Sequence, residues 1–281
     1  MKENNVILNK VFTQYVLKDL IEKCKNEIYD TTINKFLDIG EKKNEILIKK
    51  LYEYMGKNYR NEYFYQNTLL NKLLLGKHSL NTTTALTQIP IAKSKADFIL
   101  INGKAVVYEI KTELDTFERL KTQLKDYYKA FDHVCVVTCE NNYKKLEKLL
   151  ENTPVGIYIL TNRNTFKFRK EPIKNIEQLE HKSIFKILHK KEYENILLEY
   201  FQYLPNTTPV FYYRECYNLF SKIPLEEAYN IFLKQLKNRN KIKKDDFIKV
   251  PYELKSLLYF YNPSNEDYLK LDKFLRQEYI I

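Results

Sequence analysis

Over the first 58 residues apolar positions recur at spacings of three and four. VFTQYVLKDLIEKC and EILIKKLYEYMGK both follow this period, which gathers their apolar side chains on one face of a helix. Residues 60–76, RNEYFYQNTLLNKLLLG, predict a third helix with Gly76 as its stop signal. HSLNTTTALTQIPIAKS is polar and irregular and predicts a connecting loop. The pattern then changes. ADFILI and KAVVYEIKT predict strands, and the Asn102-Gly103 pair between them is a hairpin signal. DTFERLKTQLKDYYKAF predicts a helix burying Phe117, Leu120, Leu124, Tyr128 and Phe131. Asp115, with Glu118 three residues on, fits a capping box at its start. HVCVVTC predicts a short strand at a sheet centre, and NNYKKLEKLLEN another helix. VGIYILT and TFKFRK predict a strand and a hairpin arm joined at NRN. Beyond about residue 172 the pattern is helical, as in IEQLEHKSIFKILHKKEYENILLEYFQYL, LEEAYNIFLKQLKNRNKIKK and NEDYLKLDKFLRQEYI.

This order predicts an α/β (α+β) fold, a mixed sheet with helices on both faces. It divides the chain into a helical N-terminal segment (1–58), a sheet-bearing core (59–171) and a helical C-terminal domain (172–281). The length of 281 residues suffices for one large core or two smaller ones, and 44% hydrophobic with 30% charged residues argues for a folded chain. Five Gly and eight Pro argue against long flexible linkers. The net charge of +11 favours encounter with polyanions, although a Lys-rich solubilising surface gives the same count. The basic run LKQLKNRNKIKKDD reads as a solvated helix end, with a nucleic-acid contact as the alternative. Four scattered His and four Cys without a CxxC pair argue against zinc, and Cys135 and Cys139 read as reduced core thiols. No apolar run reaches membrane-spanning length, and MKENNVILNK lacks a signal peptide's apolar centre, so the expected location is cytoplasmic.

Charged residues stand out at one end of the two apolar strands. Side chains alternate along a strand, so Val107, Glu109 and Lys111 share one face of theirs, as do Asp97, Ile99 and Ile101 on the other strand. Two carboxylates buried side by side are costly unless something neutralises them. Lys111 could do so as a structural ion cluster. Alternatively, Mg²⁺ could bind between Asp97 and Glu109, with the Ile110 carbonyl as a further oxygen ligand and Mn²⁺ as a substitute. Such a metal would suit phosphodiester hydrolysis, with Lys111 orienting the attacking water or stabilising charge on the phosphate. Register decides whether the two carboxylates meet. A plain two-residue turn would pair Ile101 with Lys104 and send Glu109 to the opposite face from Asp97. Bringing them together requires Ile101 to pair with Ala105 through a three-residue loop with Gly103 at its bulge, or a bend at Asp97.

AD at 96–97 followed by EIK at 109–111 resembles the signature of the PD-(D/E)XK nuclease superfamily, with Ala96 in place of the expected Pro. Gln123 and Tyr127, in QLKDY, match the QxxxY motif of its RecB-like branch. EYFYQNTLLNKLLLGKHS followed by KADFILINGKAVVYEIKTELD also looks like a bacterial family of nuclease-like proteins, and the resemblance spans roughly residues 60 to 140. It implies a restriction-endonuclease-like core whose QxxxY helix lies over the site and contacts substrate. It also implies a further acidic residue on the helix preceding the sheet, for which Glu62 is the candidate; a Glu favoured by the helix dipole is the alternative.

The resulting expectation is a Mg²⁺-dependent nuclease acting on DNA in phage defence or DNA processing. Asp97, Glu109 and Ile110 would hold the metal, Lys111 would place the water, and Gln123, Tyr127 and Glu62 would complete the site. One alternative is a non-catalytic nucleic-acid-binding or regulatory module, and another is an RNA-cleaving toxin or effector. The helical C-terminal segment is the expected place for a homo-oligomer or protein contact.

Overall fold

The computed structural model describes residues 6–38, 40, 42–76, 78–239 and 242–279, and the chain divides into two compact units. A terminal unit joins Met1–Leu80 to Lys241–Ile281, and a central unit comprises Asn81–Asn240. These are not the three consecutive segments expected from the sequence. The physical reason is that the two ends of the chain share buried polar contacts. Asn67 Nδ2 donates to the Tyr252 carbonyl (2.9 Å), and Asn67 Oδ1 accepts from the Ser256 amide (2.9 Å). Asn44 Nδ2 donates to the Phe274 carbonyl (3.1 Å), and the Tyr63 hydroxyl to that of Glu253.

The terminal unit is helical. Its longer helices are Gln14–Lys23, Glu27–Phe36, Asn44–Asn58, Glu62–Leu69 and Asn265–Arg276. Their starts follow capping chemistry: Asn26 accepts from the Ile28 and Tyr29 amides, Asn61 from Phe64, and Ser264 from Asp267. The helix Glu62–Leu69 runs on into a π-helical turn, Leu70–Leu75.

The central unit is built on a six-stranded mixed sheet in sequence order, so the α/β (α+β) class expected from the pattern is what the chain forms. The strands are β1 (Thr84–Ile91), β2 (Ser94–Asn102), β3 (Lys104–Ile110), β4 (His133–Thr138), β5 (Gly156–Leu160) and β6 (Phe166–Lys170). β1, β2 and β3 are antiparallel, β3, β4 and β5 parallel, and β6 antiparallel to β5. Each parallel step is spanned by a crossover helix, Leu120–Tyr128 and then Tyr143–Leu149. Ile99, Ile101, Val107, Val134, Val136, Ile157 and Ile159 point to one face and form a single core with Leu120, Leu124, Tyr127 and Tyr128. Ile184, Phe185, Ile196, Leu197, Phe220 and Phe232 join the same core. This also explains why residues 172–240 are no separate domain. Phe98, Tyr108, Tyr158 and Phe168 form a file of ring contacts on the opposite face, with centroids 6.1, 5.7 and 4.5 Å apart.

Three local expectations need correction or completion. The stretch read as a loop, 78–94, contains β1, in which β-branched Thr84, Thr87, Ile89 and Ile91 pair with β2. Pro90 is tolerated because β1 is the sheet edge. Asp115 does not cap the helix. Its Oδ2 accepts from the Thr112 amide and hydroxyl (2.8 and 2.7 Å), closing a turn before a helix that starts at Leu120. The hairpin register is the one the paired carboxylates required: Ile101 pairs with Ala105, Asn102 with Lys104, and Gly103 takes φ +72° between them. Cys135 and Cys139 are buried free thiols, as expected. Among the described residues no helix is long and apolar enough to cross a membrane. Residues 240 and 241 of the basic run at 233–246 lie outside the description.

Candidate functional site

Glu109 reaches the helix-covered face of the sheet because β3 alternates and Val107, two residues earlier, packs there. It is 1% exposed. Lys111 lies just past the strand end, and its amide still donates to the Val137 carbonyl (2.8 Å). The helix Leu120–Tyr128 brings Gln123 and Tyr127 onto the same face, four residues apart. Lys111 Nζ donates to Glu109 Oε1 (2.7 Å) and to Gln123 Oε1 (3.1 Å). The Tyr127 hydroxyl lies 2.5 Å from Glu109 Oε2 and 2.9 Å from the Lys95 carbonyl, so its single proton is shared between two acceptors. Four of the residues singled out in the sequence therefore form one hydrogen-bonded cluster.

Burial raises the Tyr127 pKa far above the ordinary phenol value, and the negative charge of Glu109 adds to the effect. The phenol stays protonated and acts as a donor. Both oxygens of the Glu109 carboxylate are engaged, one by an ammonium and one by a phenol. A buried ion pair persists in this way only when hydrogen bonds satisfy its remaining lone pairs.

Asp97 sits where the ladders give way. β1 pairs with β2 on either side of Gln88 and Asp97 but not at them, and the β2–β3 pairing ends at Phe98 and Tyr108. Asp97 Oδ2 accepts from the Ile110 amide (2.8 Å), and its carbonyl accepts from the Thr87 hydroxyl (2.8 Å). The Ile110 side chain is buried. Glu62 is an exposed first-turn residue of the helix Glu62–Leu69, which belongs to the terminal unit.

Glu109 Oε1 accepts from Lys111 and Oε2 from Tyr127, and Asp97 Oδ2 accepts from the Ile110 amide, so a divalent cation at these carboxylates would share their oxygens with donors the chain already supplies. Among the described residues no group of three or more His, Cys, Asp or Glu could hold a metal ion.

Two neighbouring polar clusters escaped the sequence reading. Asp126, 6% exposed, accepts from the Ser94 hydroxyl (2.8 Å) and the Lys93 amide (3.3 Å), tying the β1–β2 hairpin to the helix. Asp132 Oδ1 accepts from the Tyr229 hydroxyl (2.6 Å) and lies 2.8 Å from His133 Nδ1. Burial pushes the Asp132 carboxyl up, but the bonds from His133 and Tyr229 outweigh it and hold the group below the usual carboxylate range. The available signal was a polar residue at a buried position: Asp126 beside Tyr127, and Asp132 entering the apolar β4.

The family model described as bacteriophage P4 protein cII matches residues 55–257. The chain is 24% identical over 179 residues to Protein cII of Enterobacteria phage P4, a match covering 62% of this chain and 66% of that protein, just under two thirds of its length. No solved structure matches. These matches overturn the PD-(D/E)XK resemblance and the nuclease reading built on it, on DNA or on RNA. The motif misled because the strand parity that would aim Glu109 and Lys111 at a metal also aims them at each other.

Proposed function

Since the chain belongs to the bacteriophage P4 protein cII family, we propose that it is a non-catalytic nucleic-acid-binding module with a regulatory role, acting by occupying its target rather than by chemistry on it. The observation that carries this reading is the state of Glu109: buried, with one oxygen held by Lys111 and the other by Tyr127. A carboxylate so engaged ties strand to helix. The binding half of the reading rests on charge. The net charge is +11, and residues 161–170 carry Arg163, Lys167, Arg169 and Lys170 with no acidic residue. Arg163, Lys167, Phe168 and Arg169 are exposed on this β5–β6 hairpin at the sheet's second edge. Cations of this kind neutralise phosphates, and an exposed ring can stack on a base.

Fluorescence anisotropy with labelled duplex DNA, single-stranded DNA and RNA tests the proposal. The full chain should bind at least one of them with an affinity that falls linearly in log salt. Arg163→Glu with Lys167→Glu should lower the salt slope by about 2. Glu109→Gln with Lys111→Met, checked for folding by circular dichroism, should leave the affinity unchanged. If none of the three polymers binds at low salt, the reading fails.

A further inference from the structure

Leu198, Tyr200, Tyr203, Val210, Phe211 and Tyr213 are 39–85% exposed, and all of them fall between residues 198 and 213 of the central unit. They belong to a helical hairpin made of the helix Lys190–Phe201, a connection over 202–208 and the helix Pro209–Phe220. Gln202 ends the first helix in the left-handed region (φ 64°), where its amide donates to the Leu198 carbonyl. Pro209 opens the second helix at a position that needs no amide donor. The two helices are fixed from beneath. Ile196, Leu197, Cys216 and Phe220 are buried in the core of the unit, and the Tyr212 hydroxyl donates to Glu194 (2.7 Å) across the pair. The outward residues next to the connection are therefore carried on a packed frame.

Charge sets this tip apart. Residues 195–213 carry one charged side chain, Glu199, in a chain that is 30% charged. Arg214, the next cation, is occupied within the chain: it pairs with Glu215 (3.2 Å), and its guanidinium lies 4.7 Å from the centroid of the Phe211 ring. Enrichment in aromatic rings with depletion of Lys and Glu is the composition of a protein–protein interface core. A nucleic acid would find no cation between residues 195 and 213. Side chains of this size, about half exposed, present roughly 100 Å² each, so together they offer about 600 Å² of mostly apolar surface, the upper end for a monomer. Two such patches face to face bury about 1,200 Å², the lower limit of a specific interface.

We propose that this hairpin tip joins two copies of the chain about a two-fold axis, patch against patch. A second copy brings the same aromatic, nearly uncharged surface, whereas a strongly charged partner of either sign would meet little counter-charge here. Each copy carries +11, so repulsion elsewhere opposes the pairing, and salt screens that repulsion. The association tightens as salt rises, opposite to the behaviour of a contact with a polyanion.

Sedimentation velocity of the full chain across a wide range of protein and salt concentrations tests the assignment. A monomer–dimer equilibrium should appear, with the dimer favoured by higher salt. Val210→Glu and Phe211→Glu, each tested alone, should weaken the dimer about thirtyfold or more, the loss expected for one interface anchor. Both positions are exposed, so neither variant should lower the melting temperature at concentrations where wild type is monomeric. Ile173→Glu, at an exposed apolar position of the same unit outside the hairpin, should leave the dimer unchanged. The proposal is overturned if the chain stays monomeric throughout, which would assign the tip to a different protein. It is equally overturned if salt dissolves the dimer, if either tip variant associates as tightly as wild type, or if Ile173→Glu disrupts the dimer as much as they do.

Discussion

Tyr127 and Tyr128 stand side by side at the end of the helix Leu120–Tyr128, both buried, in two regions of opposite polar character. Tyr127 faces the end of β3, where Glu109 and the Lys95 carbonyl both receive its hydroxyl. Tyr128 turns into the core, where among the described residues its buried hydroxyl has no partner. One residue of helix turns the side chain by about 100°, enough to move from one environment to the other. The difference teaches how unevenly one helix satisfies its polar groups. The cluster with the most recognisable chemistry is internally complete, while among the described residues the neighbouring phenol has no partner.

Breaking the complete region should have the largest effect. Glu109→Ala leaves Lys111 charged and 12% exposed without its counter-ion, so urea melts should show a loss of about 3–5 kcal/mol. Tyr127→Phe removes only the second donor to that carboxylate and should cost about 1.5–3 kcal/mol in the same assay. A third complete region, at Asp132, sharpens the comparison through pH. Its folded pKa is depressed, so its contribution is present above the unfolded value of about 3.9 and is lost as pH falls through the lower folded value. Asp132→Asn should therefore cost about 1–3 kcal/mol at neutral pH, and its melting curve should approach that of wild type in acid. The smallest change belongs to the incomplete region. Tyr128→Phe should be neutral or stabilising by up to about 1 kcal/mol. A loss as large as that for Tyr127→Phe would erase the distinction between the two tyrosines.

Much of the central unit was legible because its elements obey local rules. β3 carries the apolar run Ala105–Tyr108 and β4 the run Val134–Val137, Gly103 supplies the positive φ of the hairpin, and Phe117 through Phe131 mark a buried stripe. β1 was not legible, because threonines and a proline read as a loop until an edge position and a neighbouring strand make them a strand. Asp115 shows the same limit on a smaller scale: its carboxylate had two turns to close, and the nearer Thr112 took it. The cluster of Glu109, Lys111, Gln123 and Tyr127 followed from parity and helical spacing, and the structure assembles it. Its role did not follow, since parity fixes which groups meet and leaves open whether they meet a substrate or one another. The division into units was hidden for a different reason. Nothing local in residues 62–75 announces that their polar partners lie near residues 252–256.

That division has a consequence for how the protein comes off the ribosome. The central unit is one unbroken stretch and can fold as soon as it has emerged. The terminal unit cannot. Its first helices wait for residues 241–281 while the 160 residues of the central unit are made. At roughly 5–20 residues per second the wait is on the order of 10–30 s. Through that interval Leu47, Leu51 and Met55 lack the C-terminal helices that pack against their segment and are open to chaperones or to other nascent chains. The helices synthesised first are the last to be completed.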